Sequence, residues 1–178
     1  MLKLLKKRRS IRKYEDKRIE KEKIVEIVQG ALLSPSSRGL NPWEFIIVED
    51  RTLLERLSHS KLGSSFLKNA QLGIVVLGNS SRSDVWIEDT SIASAIIQLT
   101  VESMGLGSCW IQIRKRNHTE GKTAENYVRE ILNIPDNINV LSIISIGYPD
   151  EIKEAHKEED LDYEKVHSNS YGKRYDIK

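Results

Sequence analysis

A long apolar segment between residues 86 and 104 constrains the fold of this chain more than any other part of its sequence. It runs from Trp86 to Met104, is rich in alanine and isoleucine, and has helical spacing with apolar residues on more than one side. Such a helix needs cover on several sides, so we expect it inside the fold or along an interface between two copies. Glu88 and Asp89 are expected only to favour its positive end, and Gly105 to cap its other end.

Short apolar runs alternate with amphipathic segments along the rest of the chain. The runs predict strands at 43–48, 72–77, 108–113 and 140–146, and helical spacing predicts helices at about 20–33, after Asp50, and from Thr123 to about Leu132. Interleaved helices and strands in 178 residues predict one domain, 1–178, of mixed α+β class. Residues 150–178 lack core periodicity and are expected to form an extended tail over a surface, either the chain's own or a partner's.

Charge is unevenly distributed although the formal net charge is only +2. Residues 1–23 contain eleven Lys or Arg against four Asp or Glu, whereas residues 150–165 contain eight Asp or Glu against three Lys. This asymmetry is typical of a basic arm for nucleic acid with an acidic tail, or of two chain ends that are solvated or meet separate partners. Because no nucleic-acid-binding pattern accompanies the basic arm, we expect no nucleic-acid partner.

Cysteine and histidine usage excludes several kinds of site. The single cysteine, Cys109, excludes an internal disulfide and a multi-cysteine metal site, and its apolar surroundings predict a core thiol. The four histidines lack metal-ligand spacing, so no metal is expected. No signal-peptide pattern and no apolar run of membrane-spanning length is present, which predicts a cytoplasmic protein without a membrane partner.

Two segments are candidates for ligand binding. If residues 8–12 are extended, Arg8, Ser10 and Arg12 share one face and form a forked, charge-assisted site suited to a phosphate. A solvated basic arm is the alternative, and the segment alone favours it. The loop at residues 34–39 precedes Asn41-Pro42-Trp43 and could offer hydroxyls and backbone N–H groups to a flat ligand, although by itself it is more typical of a structural turn.

Four segments, in this order, resemble the nitroreductase family of FMN-dependent oxidoreductases. They are Arg8-Arg9-Ser10-Ile11-Arg12-Lys13-Tyr14, residues 34–45, Gly105-Leu106-Gly107-Ser108-Cys109-Trp110-Ile111, and Ile146-Gly147-Tyr148-Pro149. The resemblance covers most of residues 5–150. It implies a nitroreductase-like α+β fold, with a central, mostly antiparallel sheet wrapped by helices. It also implies a homodimer, with the long buried helix at its interface.

The resemblance further implies that FMN is held by residues of both subunits. From one subunit come Arg8 and Ser10 for the phosphate and ribityl chain, Arg9 nearby, Arg12 at the pyrimidine edge, and the backbone of Gln112 and Ile113 at flavin N5. From the other subunit come Pro35, Ser36, Ser37, Arg38 and Asn41. Gly39 and Asn41 depart from the Asn and Gln that the family commonly has there, which puts the Asn41 contact in question. Lys157, Lys173 and Arg174 are candidates for a basic tail residue near the phosphate.

The implied activity is a ping-pong transfer of hydride from NAD(P)H through flavin N5 to a nitroaromatic, a quinone or a similar small-molecule acceptor. No side chain is expected to be catalytic beyond an electrostatic role for Arg12, because the flavin carries the chemistry. One alternative is a flavin-consuming or dehalogenating branch, with residues 114–122 as a candidate lid. The others are a non-catalytic FMN-binding protein and a nucleic-acid-binding protein that uses its basic arm.

Overall fold

The structure, a computed structural model, describes residues 1–176 of the chain. The helices are α1 (Leu2–Lys7), α2 (Lys21–Leu32), α3 (Arg51–Ser58), α4 (Trp86–Ser103) and α5 (Ala124–Leu132). The strands are β1 (Trp43–Val48), β2 (Leu72–Gly78), β3 (Gly107–Gln112), β4 (Asn117–Thr119), β5 (Lys122–Thr123) and β6 (Asn139–Gly147). Each predicted strand and helix is present to within about two residues. The six-residue α1 was not predicted, because it is short and half of its residues are lysine.

Within residues 1–176 the main sheet has four strands in the order β1-β2-β6-β3, and all its neighbours are antiparallel. Side chains alternate between its two faces along each strand. In β2, Ile74 packs with the core under α2 and α4, whereas Val75 packs with the core under α3 and α5. Helices therefore cover both faces, and the predicted α+β class with a mostly antiparallel central sheet is confirmed.

The long helix α4 has apolar residues on two sides, of which one is buried and the other is open. Ala93, Ile97 and Val101 are fully buried against the sheet. The opposite side remains open, with Ile92 43% exposed and Ala95 also exposed at helical spacing from it. The predicted C-terminal cap is also present, since Gly105 follows the helix with a φ of 74°.

The N-terminal segment extends along the outer edge of β3. Ser10 pairs with Ser108 in a parallel bridge, and the Ile11 N–H donates to the Ser108 carbonyl at 2.9 Å. Further along, Tyr14 pairs with Pro149. The edge of the sheet is thus covered by the basic segment, as is common for strands with an exposed edge.

The basic and acidic ends of the chain meet each other, which the sequence analysis did not predict. Lys6 forms an ion pair with Glu158 at 2.5 Å, and the His156 N–H donates to the Lys6 carbonyl at 2.9 Å. Glu151 Oε1 accepts from the Arg12 N–H at 2.5 Å. The tail therefore lies over its own chain. Within residues 1–176, no helix is long and apolar enough to cross a membrane.

Candidate functional site

Arg8, Ser10 and Arg12 lie around one buried thiol at the edge of the sheet. Ile11 points the other way into the core, where it is 7% exposed, so the segment alternates as an extended chain does. Burial raises the pKa of the Cys109 thiol, and the charge of Arg12 and a hydrogen bond from Ser10 act in the opposite direction. The charge of Arg8 acts in the same direction as that of Arg12, so the predicted anion-binding residues are near one thiol.

Lys153 adds a fourth polar group, which was not predicted from the sequence. Its Nζ donates to the Ser10 carbonyl at 2.5 Å, and its charge also acts on the Cys109 thiol. The signal in the sequence was weak: Lys153 follows Glu151 by two positions in an extended tail, so both reach the same neighbour. The predicted tail residue Lys157 is instead exposed and lies 4.0 Å from Glu159, and Arg174 pairs with His167 in a turn of the distal tail.

The guanidinium groups of Arg8 and Arg12 have no carboxylate partner among the described residues. Arg8 Nη1 donates to the Gln98 amide oxygen at 3.5 Å, and Arg12 lies 5.7 Å from the centre of the Phe66 ring. Arg9 turns away and donates to the Glu154 carbonyl. Two guanidiniums without carboxylate partners among the described residues, with a hydroxyl between them in sequence, suit a negatively charged ligand such as one that carries a phosphate.

The loop at residues 34–41 is held in an uncommon backbone conformation. Arg38, Gly39 and Asn41 all have positive φ, at 54°, 64° and 46°. The Ser36 hydroxyl donates to the Asn41 side-chain oxygen at 2.7 Å and accepts from the Asn41 N–H at 2.9 Å. Asn41 therefore braces the loop, which is consistent with its departure from the family pattern. Pro35 is exposed, and Trp43 beyond the loop is buried as its anchor.

Gln112 is the last residue of β3, and Arg114 beyond it lies 5.9 Å from the centre of the Trp86 ring at the start of α4. Its side chain accepts from Trp110 Nε1 at 2.9 Å and donates to the Arg114 carbonyl at 3.0 Å. Alternate residues of a strand direct their backbone groups to opposite edges, and Ser108 uses the outer edge, so Gln112 faces that same edge. Ile113 differs, because it is fully buried and its N–H donates to the Leu141 carbonyl at 3.1 Å.

The predicted site residues form two groups within one chain. Arg8 contacts α4 at Gln98, whereas the Ser37 N–H donates to Asp89 at 2.8 Å. These two positions in α4 are nine residues apart, which is about 13 Å along the helix axis. The structure therefore brings Arg8, Ser10 and Arg12 together, and the loop group 34–41 separately, with Gln112 at the far end of the β3 edge.

Residues 114–122, predicted as a candidate lid, include part of a small hairpin of β4 and β5. The His118 ring stacks on Tyr127 with centroids 3.9 Å apart, and its Nδ1 lies 2.9 Å from the His59 carbonyl. The hairpin is thus attached to α3 and α5. In the described part of the chain, no group of three or more His, Cys, Asp or Glu side chains could hold a metal ion.

The fold is of α+β class, and these side chains form a candidate anion site in the segment that covers the outer edge of β3. The sequence profile of the nitroreductase family matches residues 5–72 and 52–148. The chain therefore belongs to the nitroreductase family, and the predicted resemblance is confirmed.

Individual relatives agree with this assignment. An FMN-dependent nitroreductase from Clostridium difficile R20291 superposes with a TM-score of 0.95 at 52% identity, over 96% of this chain and all of that one. A structure from Parabacteroides distasonis, provisionally named NADH dehydrogenase/NAD(P)H nitroreductase, gives a TM-score of 0.87 at 34% identity over 96% and 98% of the two chains. A protein from Archaeoglobus fulgidus with the same provisional name is 37% identical over 89% of this chain and 91% of its own.

The residues present fit FMN. Its phosphate is a dianion that suits a cation without a carboxylate partner, and Arg8 is such a cation among the described residues. Arg12 is a second such cation and suits the pyrimidine edge, where reduction adds negative charge. Its flat ring system needs backbone donors at an accessible edge, and Gln112 lies on the outer edge of β3. The fit depends on the basic segment, since it supplies the two cations.

Proposed function

We propose that this protein is an FMN-dependent oxidoreductase of the nitroreductase type, reduced by NAD(P)H, with a single domain spanning residues 1–178. The observation that carries the proposal is that Arg8 and Arg12, both in the segment that covers β3, have no carboxylate partner for their guanidinium groups among the described residues. The family membership and the names of the relatives support FMN and NAD(P)H as cofactor and reductant. A cytoplasmic location remains our expectation from the sequence.

Each part of the chain has a distinct role in this proposal. Arg8 and Ser10 bind the phosphate and the ribityl chain, with Arg9 fixed nearby through its contact with the tail. Arg12 lies at the pyrimidine edge, where a cation favours the negative charge that reduction adds. The backbone of Gln112 faces N5, and Ile113 supports it from within the core.

When bound, FMN would supply two-electron chemistry, the transfer of hydride from NAD(P)H through N5 to an acceptor, and the two substrates would occupy the same place in turn. The protein binds the cofactor, orients both substrates over one face and excludes water from it. No side chain is required to donate or accept a proton in the hydride step, so none is proposed as catalytic. A nitroaromatic, a quinone or a similar small molecule is the proposed acceptor.

The open side of α4 supports a homodimer. Ile92 is 43% exposed and Ala95 and Leu99 follow at helical spacing, so apolar surface runs along the helix. Leu33, at the end of α2, is 82% exposed and precedes the 34–41 loop. In the proposed dimer, a second copy covers this face. Pro35, Ser36, Ser37 and Arg38 of that copy then reach the flavin held by Arg8 and Ser10.

Steady-state kinetics test the reaction order. We expect parallel lines in double-reciprocal plots of initial rate at several concentrations of NAD(P)H and of a quinone, because the reductant leaves before the acceptor binds. Lines that intersect at one point would mean that both substrates are bound together, which would reject the proposed order.

Mixed dimers test the shared site. Two parents, Arg8→Ala and a loop variant with residues 36–38 replaced by glycine, would be unfolded together, refolded as a mixture and assayed at an FMN concentration that loads the wild type but neither parent. A heterodimer has one intact site when each site takes Arg8 from one subunit and the loop from the other, so we expect about a quarter of wild-type activity in an equimolar mixture. A mixture as inactive as its parents would show that each site is built from one chain.

A further inference from the structure

Asp89 is a buried carboxylate that binds two loops instead of capping its own helix. It is 2% exposed in the first turns of α4, and its own N–H donates to the Val85 carbonyl as in any helix. Its Oδ1 accepts from the Ser37 N–H at 2.8 Å, and its Oδ2 accepts from the Ser83 hydroxyl at 3.2 Å. Burying a charge is costly unless hydrogen bonds compensate it, and here both donors come from outside the helix.

The loops joined by Asp89 also contact each other. The Asn79 N–H donates to the Pro42 carbonyl at 2.9 Å, and Arg38 forms an ion pair with Asp84. Both side chains of this ion pair are exposed, so the pair contributes little to stability. Asp89 is therefore the buried contact between the 34–41 loop and the 79–85 loop that precedes α4.

The conformation of the 34–41 loop needs such support. Arg38 and Asn41 have positive φ, which residues with a Cβ adopt at a cost, and Gly39 between them has positive φ as well. The hydrogen bonds between Ser36 and Asn41 close the loop on itself without attaching it to the rest of the fold. The bond from Ser37 to Asp89 provides that attachment in the middle of the loop.

We infer that Asp89 is a positioning residue for flavin binding: it fixes the backbone of Ser37, and with it the loop that lines the flavin, against the start of α4. This inference rests on the proposed function, because the loop matters only if it contacts FMN. Asp89 does not itself touch the cofactor in this account. It acts through the loop, so its removal should change how the flavin is held while α4 and the sheet remain folded.

Three variants separate the positioning role from a general loss of stability. Asp89→Ala removes both acceptors, whereas Asp89→Asn keeps an oxygen for the Ser37 N–H and can donate to the Ser83 hydroxyl. Ser94→Ala is the matched control, because its buried hydroxyl on the same helix bonds to Thr90 and lies 3.3 Å from the Ser142 hydroxyl, away from both loops. Melting temperature and circular dichroism establish that each variant folds.

The first readout uses the FMN-free protein. Hydrogen–deuterium exchange of the peptide covering residues 34–41 should be faster in Asp89→Ala than in the wild type, and unchanged in Asp89→Asn and Ser94→Ala. The second readout is FMN binding, measured by the dissociation constant and the visible circular dichroism of the bound flavin. We expect a dissociation constant raised roughly tenfold in Asp89→Ala, with an altered spectrum, and recovery of both in Asp89→Asn.

Each outcome decides the inference. Unchanged exchange in Asp89→Ala would overturn it, because the loop would be held without the carboxylate. Faster exchange with flavin binding like that of Ser94→Ala would also overturn it, because the loop would not act on the cofactor. If Asp89→Ala does not fold, exchange and flavin binding in Asp89→Asn and Ser83→Ala decide instead, with a weaker effect expected only in Ser83→Ala. Failure of the proposed function is distinguishable, since the unmodified protein would then bind no FMN, and the inference would fall with it.

Discussion

Gly107 and Gly147 pair directly across β3 and β6, and each leaves room for one side chain of the N-terminal segment. A Cβ on Gly107 would lie 2.8 Å from Cβ of Ile11, and a Cβ on Gly147 would lie 2.8 Å from Cδ1 of Tyr14. Ile11 and Tyr14 are both buried, so neither can move aside easily. The two glycines therefore allow the segment that carries Arg8, Ser10 and Arg12 to lie against the edge of the sheet.

Replacing Gly107 with alanine should displace the basic segment. The added methyl group overlaps a buried β-branched side chain, so we expect a loss of about 1–3 kcal/mol in the free energy of unfolding and weaker FMN binding. Urea unfolding and flavin titration measure the two effects. Gly63→Ala is the control, because a Cβ there meets nothing closer than Lys61 Nζ at 3.9 Å. Its φ of 83° strains an alanine, so we expect this variant to lose stability while its FMN affinity stays unchanged. Equal FMN affinities in wild type and Gly107→Ala would contradict this role.

Arg8→Ala should weaken FMN retention by about 1.5–3 kcal/mol, because the phosphate loses a charge-assisted hydrogen bond. Arg18→Ala is the matched control, since it removes a guanidinium from the same basic region but beyond Tyr14 in the sequence. Equilibrium dialysis with FMN gives the FMN dissociation constants of the two variants. The assignment of Arg8 would be wrong if the two variants bound FMN with the same affinity.

Lys153→Ala should also weaken FMN binding, although the residue is absent from the sequence-based site. Its ammonium donates to the Ser10 carbonyl and lies 3.6 Å from Glu151 Oε1, so its loss removes a partly compensated positive charge from the basic segment. We expect the free energy of FMN binding to weaken by about 1 kcal/mol, which is less than for Arg8→Ala, because the lysine side chain is 27% exposed. Lys157→Ala, an exposed lysine of the same tail, should have no effect. An equal effect of the two lysines would indicate only a general dependence on charge.

Arg12→Ala should lower the reduction potential of the bound flavin more than it weakens binding. A cation at the pyrimidine edge favours the reduced, negatively charged cofactor, and its loss is expected to shift the potential by about 20–30 mV for a two-electron couple. Spectroelectrochemical titration measures this shift, and Arg12→Lys, which keeps the charge, should remain close to the wild type. A potential that does not change in Arg12→Ala would refute the electrostatic role.

Glu151 should make the attachment of the tail sensitive to acid. Hydrogen bonds from the Arg12 and Lys13 N–H groups lower the pKa of Glu151 below its ordinary value. A lowered pKa contributes stability that is complete above the unfolded-state pKa of about 4.3 and is lost as the pH falls through the folded-state pKa. Glu151→Gln should therefore be less stable than the wild type by about 1 kcal/mol at neutral pH. This difference should disappear in acid, and a constant difference at all pH values would contradict the account.

The sheet and the long helices could be predicted from the sequence because they depend on local patterns. Residues 43–48 form a strand as predicted, since a short apolar run is bounded by turn residues on both sides. The helix at 86–103 could be predicted from the helical spacing of its apolar residues. One of its apolar sides packs against the sheet, and the other forms an open surface.

The parts that could not be predicted depend on contacts between distant residues. The spacing of two between Glu151 and Lys153 indicates only that they share a side of the tail, and it does not reveal their contacts with Arg12 and Ser10, more than 130 positions away. The left-handed conformation of Arg38 was equally hidden, because only glycine signals such a position reliably. Asp89 was predicted merely to favour the start of its helix, whereas its partners lie in two loops.

Flavin binding and its reduction are tested directly by the visible absorption spectrum of the purified protein, recorded without oxygen before and after addition of NADH or NADPH. We expect the absorption bands of an oxidised flavin, and their loss when one of these nucleotides is added. A colourless protein that also fails to bind added FMN would contradict the account, because Arg8 and Arg12 would then serve some other anion.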